Sequence, residues 1–106
     1  MSETVGTPGT AAITLERLRQ IGSEGWSADH DDTHNRGDLA IAAASLILHG
    51  TDVGLDCETP DAWGLVAKHG GDTLRCLEIA GALSAAEYDR VLRREVRGGD
   101  SSRARM

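Results

Sequence analysis

The chain of 106 residues has no phenylalanine, and its aromatic side chains are three: Trp26, Trp63 and Tyr88. That excludes a core of stacked aromatic rings. It also disfavours a strand-rich fold, since strands draw on aromatic and β-branched residues. Cysteine is limited to Cys57 and Cys76. Two thiols so far apart make neither a disulfide framework nor a C-x-x-C motif, and they read as reduced cysteines of a cytosolic protein. Basic residues are in deficit, 11 Lys and Arg against 17 Asp and Glu, for a formal net charge of −6. This balance argues against duplex DNA or RNA as the main partner, because neutralising phosphates takes clustered Lys and Arg. It is compatible with metal binding, or with docking onto a basic protein surface. No apolar run approaches membrane-spanning length. The first residues show neither the basic nor the apolar region of a signal peptide. The expectation is a cytoplasmic protein without a membrane partner.

What the sequence has instead is alanine and leucine at helical spacing. Its length suggests one domain. Residues 1–11, "MSETVGTPGTA", are small and polar and read as a disordered lead. Residues 12–95 read as a single helical domain, and 96–106 as a flexible basic tail. A first helix is expected over about 14–21, capped by Thr14 and stopped by Gly22. Ile13, Leu15, Leu18 and Ile21 form its inner stripe, with Arg17 and Arg19 outside. The run "RGDLAIAAASLILHG" predicts a second helix over 38–49, with Leu39, Ala42, Ala43, Leu46 and Ile47 on one face. Asp38 is in its first turn and Gly50 at its end. "TPDAWGLVAKHGG" predicts a short helix with Thr59 as cap, Pro60 at the first position and Gly70 as stop. A last helix over 72–94 would carry Leu74, Leu77, Gly81, Tyr88, Val91 and Leu92 near one face. Gly81 would mark a close approach to the alanine-rich helix. The fold class is all-α, a compact bundle of three to four helices. So thin a core makes a homodimer an expectation too.

The stretch that asks for a function is "EGWSADHDDTH", Glu24 to His34. His30 and His34 are four residues apart and Asp38 four further on, so an early helix start would align all three on one ridge. Imidazole with carboxylate suits Zn²⁺ or Mn²⁺, and carboxylates alone suit Mg²⁺. Glu87, set among alanines in "SAAEYDR", is the candidate inward carboxylate that would complete a metal site with His30, His34 and Asp38. Trp26, Asp31, Asp32 and Arg36 are the candidate ligand-binding residues. The plainer alternative is that Asp29, Asp31 or Asp32 caps the second helix and the histidines face solvent. Trp26, freed by Gly25 to take an unusual backbone turn, would close the end of the bundle. No nucleophile–base constellation and no phosphate loop stands out.

These segments resemble a small protein family encoded by tailed phages and prophages. The likeness lies in "LERLRQIGSEGWSADHDDTHNRGDLAIAAASL" and "AGALSAAEYDR", that is, residues 15–49 and 74–92. The resemblance implies a phage or prophage origin and action in the bacterial cytoplasm. Asp38 stands where the pattern has Glu, and Cys76 and Ile79 where it has Asp and Lys. The middle, 50–71, keeps only Trp63 and Lys68 of a Trp/Pro-rich segment. The order of acidic helices is distantly similar to the all-α nucleotide pyrophosphohydrolases of the MazG type. That likeness implies Mg²⁺ held by acidic side chains of neighbouring helices, although neither half of their acidic signature is complete here.

The expectation drawn from all this is a small phage-type accessory protein. It would bind a nucleotide or other phosphorylated small ligand through the EGW–HDD segment, with Mg²⁺ or Mn²⁺ as candidate cofactor. The alternative is a non-enzymatic protein that inhibits or decoys a host defence protein through an acidic surface. A third reading makes the segment only a structured corner of a dimerisation module.

Overall fold

A computed structural model of the chain describes residues 6–34, 36–51 and 59–98. Five α-helices follow in order: α1 Pro8–Gly22, α2 Ala28–Asp32, α3 Asp38–Gly50, α4 Leu65–His69 and α5 Thr73–Arg97. A single 3-10 turn, Ala62–Gly64, leads into α4. No strand occurs among the described residues, so the all-α bundle expected from composition is what forms. No helix is long and apolar enough to cross a membrane among the described residues.

The centre is the pairing of α3 with α5. Leu39, Ala42, Ala43 and Leu46 face Cys76, Ile79, Ala80, Leu83 and Ala86, all buried. Alanine at four of these nine positions brings the two backbones close, and leucine fills the layers between. At the far end of α3 the approach is close. A Cβ on Gly50 would sit 2.5 Å from Cys76 Sγ, so a larger residue there would force Cys76 to shift. The Cys76 thiol donates to the His69 carbonyl at 3.2 Å. Burial first, and the charge of Asp72 second, push that thiol up from its ordinary pKa. It is a packing cysteine rather than a nucleophile. Cys57 lies outside the described residues.

Helix α1 starts earlier than its apolar stripe suggests. Thr7 is the cap, and its hydroxyl accepts from Thr10 N while Thr10 Oγ1 accepts from Thr7 N. With Pro8 at the first helical position, this reciprocal cap nucleates the helix six residues ahead of Thr14. Residues 8–11 are therefore helical, whereas 1–5 of the expected lead and 99–106 of the expected tail lie outside the described residues.

The rotation of α1 reverses the expectation as well. Its buried residues are Glu16 and Gln20, while Leu15 and Leu18 are 68% and 60% exposed. Arg17, expected outside, keeps only 13% of its side chain exposed because it reaches Asp31. Three anchors set this rotation. Glu16 accepts from Arg75 of α5 at 2.7 Å, Arg17 donates to Asp31 of α2 at 2.6 Å, and Ile13 lies over Gly81. A Cβ at Gly81 would be 2.5 Å from Ile13 Cδ1. The glycine does mark a close helix approach, but to α1 and not to the alanine-rich α3. The same anchors leave Leu74, Leu77 and Tyr88 of α5 on its exposed side. The stripe predicted for that helix exists, but it is not the one that packs on α3.

Helix α5 is capped by Asp72, whose carboxylate accepts from Arg75 N. Helix α4 starts after Gly64, and Asp61 reaches its first turn, accepting from Val66 N at 2.7 Å and Ala67 N at 3.0 Å. Thr59 and Pro60 thus precede the helix they were expected to begin, while Gly70 does end it.

Candidate functional site

The segment from Gly25 to Asp38 is a short helix between two turns. Gly25 takes a left-handed φ of 72°, and Trp26 N–H then donates to the Gln20 carbonyl at 2.9 Å. Ser27 caps α2 by accepting from His30 N. The helix that Asp29, Asp31 or Asp32 was expected to cap is α3, and its N-cap is Gly37, with no side-chain cap hydrogen bond. Helix α2 stops at Asp32, and Gly37, at φ 80°, begins α3 afresh. His30, His34 and Asp38 therefore do not share one continuous helix. Residue 35 lies outside the described residues.

The rings nevertheless meet. Trp26 and His30 stack with centroids 5.7 Å apart and planes 8° from parallel. His30 and His34 meet edge-on at 5.0 Å. His34 meets Trp63 edge-on at 5.1 Å, and Trp63 returns to Trp26 at 6.2 Å. Four rings from three segments close a circuit, with Trp26 rooted against the apolar core. Edge-to-face and offset geometry at these separations is attractive beyond the area it buries. Trp63 is 48% exposed, so the circuit presents an open aromatic surface.

Trp63 adopts φ 58°, the single left-handed non-glycine backbone among the described residues. Such a conformation costs roughly 1–2 kcal/mol for an L-residue. It persists where surrounding contacts over-determine it, which happens most at functional sites. Trp63 was not among the candidate site residues. Its signals were its scarcity, as one of two tryptophans, and its survival from the Trp/Pro-rich segment of the resembling family.

The carboxylates take other directions. Asp31 is wholly buried, accepting from Arg17 and facing His30 Nδ1 at 3.2 Å. Asp32 turns to α5, where Arg93 donates at 2.8 and 3.2 Å and Arg97 at 3.3 Å. These arginines hold its carboxyl below the usual range, Arg93 by hydrogen bonding first. Glu87 is gripped on both oxygens by Arg90, at 2.7 and 3.0 Å. Asp38 faces His34 Nδ1 at 3.4 Å. Arg36 is exposed in the turn before α3.

A test of the proposed Mg²⁺ or Mn²⁺ ligands follows directly. Arg90 is 4% exposed, and its charge is favoured by Glu87 first and then by the fields of Asp32 and Asp38. A buried guanidinium thus supplies the positive charge that the sequence reading assigned to a divalent ion. Among the described residues no three His, Cys, Asp or Glu side chains converge on one point. His30 and His34 come together, Asp38 touches His34, and Glu87 is engaged elsewhere. The set His30, His34, Asp38 and Glu87 does not fit a ready-made ion site.

The arginines were missed by sequence reasoning. Arg17 was expected outside and Arg93 was not singled out, and their carboxylate partners are 14 and 61 residues away. The Glu87–Arg90 pair, by contrast, has the i, i+3 spacing of a helical ion pair. No protein-family model, no curated protein and no solved structure matches the chain.

Proposed function

We propose that the protein is a binding protein for a planar, phosphorylated small ligand, of which a nucleotide is the chemistry best matched. The circuit of Trp26, His30, His34 and Trp63 is the platform. One observation carries the reading: Trp63 is held in a costly left-handed backbone while half of its ring stays open to solvent. A ring kept only for packing would be buried. A base stacks on such a surface with a gain of about 1–3 kcal/mol. Arg36, exposed two residues after His34, is the cation suited to a phosphate. The distant likeness of its acidic helices to the MazG-type nucleotide pyrophosphohydrolases points the same way. The reading is one of binding, with no catalytic step assigned. Asp31 and Asp32 act here as supports, since their oxygens are committed to arginines.

The alternative of an acidic decoy for a host defence protein draws less support. Glu16, Asp31, Asp32 and Glu87 are each neutralised by an arginine, which leaves little open acidic surface around them.

Thermal unfolding with a panel of nucleotides, each with and without Mg²⁺ or Mn²⁺, is the test. A ligand at a hundred times its Kd adds about 2.7 kcal/mol and raises Tm. Trp63→Gly relieves the backbone and removes the ring, so the folded protein should remain and the nucleotide-induced shift should vanish. No shift with any nucleotide at millimolar concentration would sink the reading.

A further inference from the structure

Helix α1 is amphipathic in the wrong direction for a helix of an isolated bundle. It buries a glutamate and a glutamine and turns Leu15 and Leu18 outward. Beside them, at the start of α5, Leu74 is 73% and Leu77 44% exposed. Leu74 and Leu77 line an apolar groove whose other wall is the start of α1. Leu15 borders the adjoining groove, and Ala12 and Glu78 belong to both. The leucine ridge of α1 thus runs beside a leucine-walled groove, the two joined through Ala12 and the ion-paired lining of the adjoining groove. Exposed leucines gathered at one place mark an interaction site more than scattered single residues do.

The charge around the face selects the occupant. Its rim carries Glu16 and Glu78 against Arg19 and Arg75, a net charge of zero on a chain of −6. These four are already paired within the chain. Arg19 and Arg75 both donate to Glu16, and Arg75 also to Glu78 at 3.2 Å. A basic protein would find no acidic excess here, and an anionic lipid surface no basic excess. An identical neutral face meets neither repulsion nor an unpaired charge. A ridge beside a groove is also self-complementary under a two-fold axis, the condition for an isologous contact. We infer that the α1–α5 face is a homodimer interface, in which the Leu15/Leu18 ridge of one copy enters the Leu74/Leu77 groove of the other.

This surface is separate from the residues of the ring circuit, so the two ideas stand or fall apart. Sedimentation equilibrium of the full chain over a hundredfold concentration range reads the outcome. The expected result is a concentration-dependent mass that reaches twice the monomer. Leu15→Glu and Leu18→Glu should then give the monomer mass throughout, with helicity by circular dichroism retained because both side chains are exposed. Should either variant lose helicity, the milder Leu18→Ser decides by the same readout. Tyr88→Glu, on another stretch of α5, should leave the dimer intact. A wild-type chain that is monomeric at every concentration overturns the inference. So does a dimer that persists unchanged in Leu15→Glu, Leu18→Glu and Leu18→Ser.

Discussion

Helix α5 is flanked by two seams of opposite chemistry. Toward α3 it offers Cys76, Ile79, Ala80, Leu83 and Ala86, and they meet Leu39, Ala42, Ala43 and Leu46 in an apolar cluster. Toward α1 and α2 it offers Arg75, Arg93 and Arg97, and ion pairs join the apolar contact of Ile13 on Gly81. The first seam is non-directional: leucine and alanine layers hold the helices together but tolerate many small adjustments. The second is directional. A guanidinium must meet a particular carboxylate, so it sets the rotation of α1 and the position of α2. That division explains how α1 comes to bury Glu16 and expose Leu18. Its rotation answers to the arginines, and its leucines are left for another surface.

Beside that charged seam, the charged contacts break most sharply at the pair that joins α2 to α1, at Asp31. Its carboxylate is fully buried against Arg17, whose Nε and Nη1 are also buried and make no hydrogen bond among the described residues. Asp31→Ala strands that guanidinium, and removing one partner of a buried pair costs about 3–5 kcal/mol. Urea denaturation should show that loss. Arg17→Met with Asp31→Leu, which removes both charges, should recover most of it. If the single variant costs under about 1 kcal/mol, the charged seam is decorative.

In the apolar seam the matching change is Leu46→Ala. Leu46 is completely buried between α3 and α5, and the expected loss is about 2–5 kcal/mol. That loss should be independent of pH and of protein concentration. Leu18→Ser, by contrast, should change monomer stability by less than about 0.5 kcal/mol. Equal losses in the two variants would contradict the assignment of inner and outer faces.

The smallest effect expected is an acid response confined to the charged seam. Burial pushes the Glu16 carboxyl up, but hydrogen bonds and charge from Arg19 and Arg75 outweigh it and leave its pKa lowered. The Asp32 pKa is lowered by Arg93 and Arg97. For a carboxylate with a lowered folded pKa, the added stability is complete above the unfolded value, near about 4. It is lost as pH falls from there through the folded values. The Tm should therefore drop further between about pH 5 and pH 2 in the wild type than in Glu16→Gln, whose starting Tm is already lower. Parallel curves would remove Glu16 from the account.

Much of this was legible in the amino-acid order. The all-α class, the alanine-rich α3 with its face of Leu39, Ala42, Ala43 and Leu46, and the close contact at Gly81 follow from spacing and side-chain size. Those properties are local and repeat every few residues. The EGW–HDD segment was legible as a place of interest, but its geometry was not. Proximity in sequence suggested that its carboxylates act together, whereas Asp31 and Asp32 turn to different helices. Trp63 joins the cluster from 29 residues beyond His34, a distance that no local pattern spans.

The sequence by itself thus determined that helices form and roughly where, because turn and cap chemistry and the 3.6-residue period act over a few residues. It also determined that a core of leucine and alanine must be thin. Tertiary structure decided which stripe of α1 and of α5 faces inward, which carboxylate each arginine takes, and which rings meet. Those choices depend on partners up to 65 residues apart, as for Arg97 and Asp32. Periodicity defines a face without saying what will lie against it. Only packing all the helices at once assigns the neighbour.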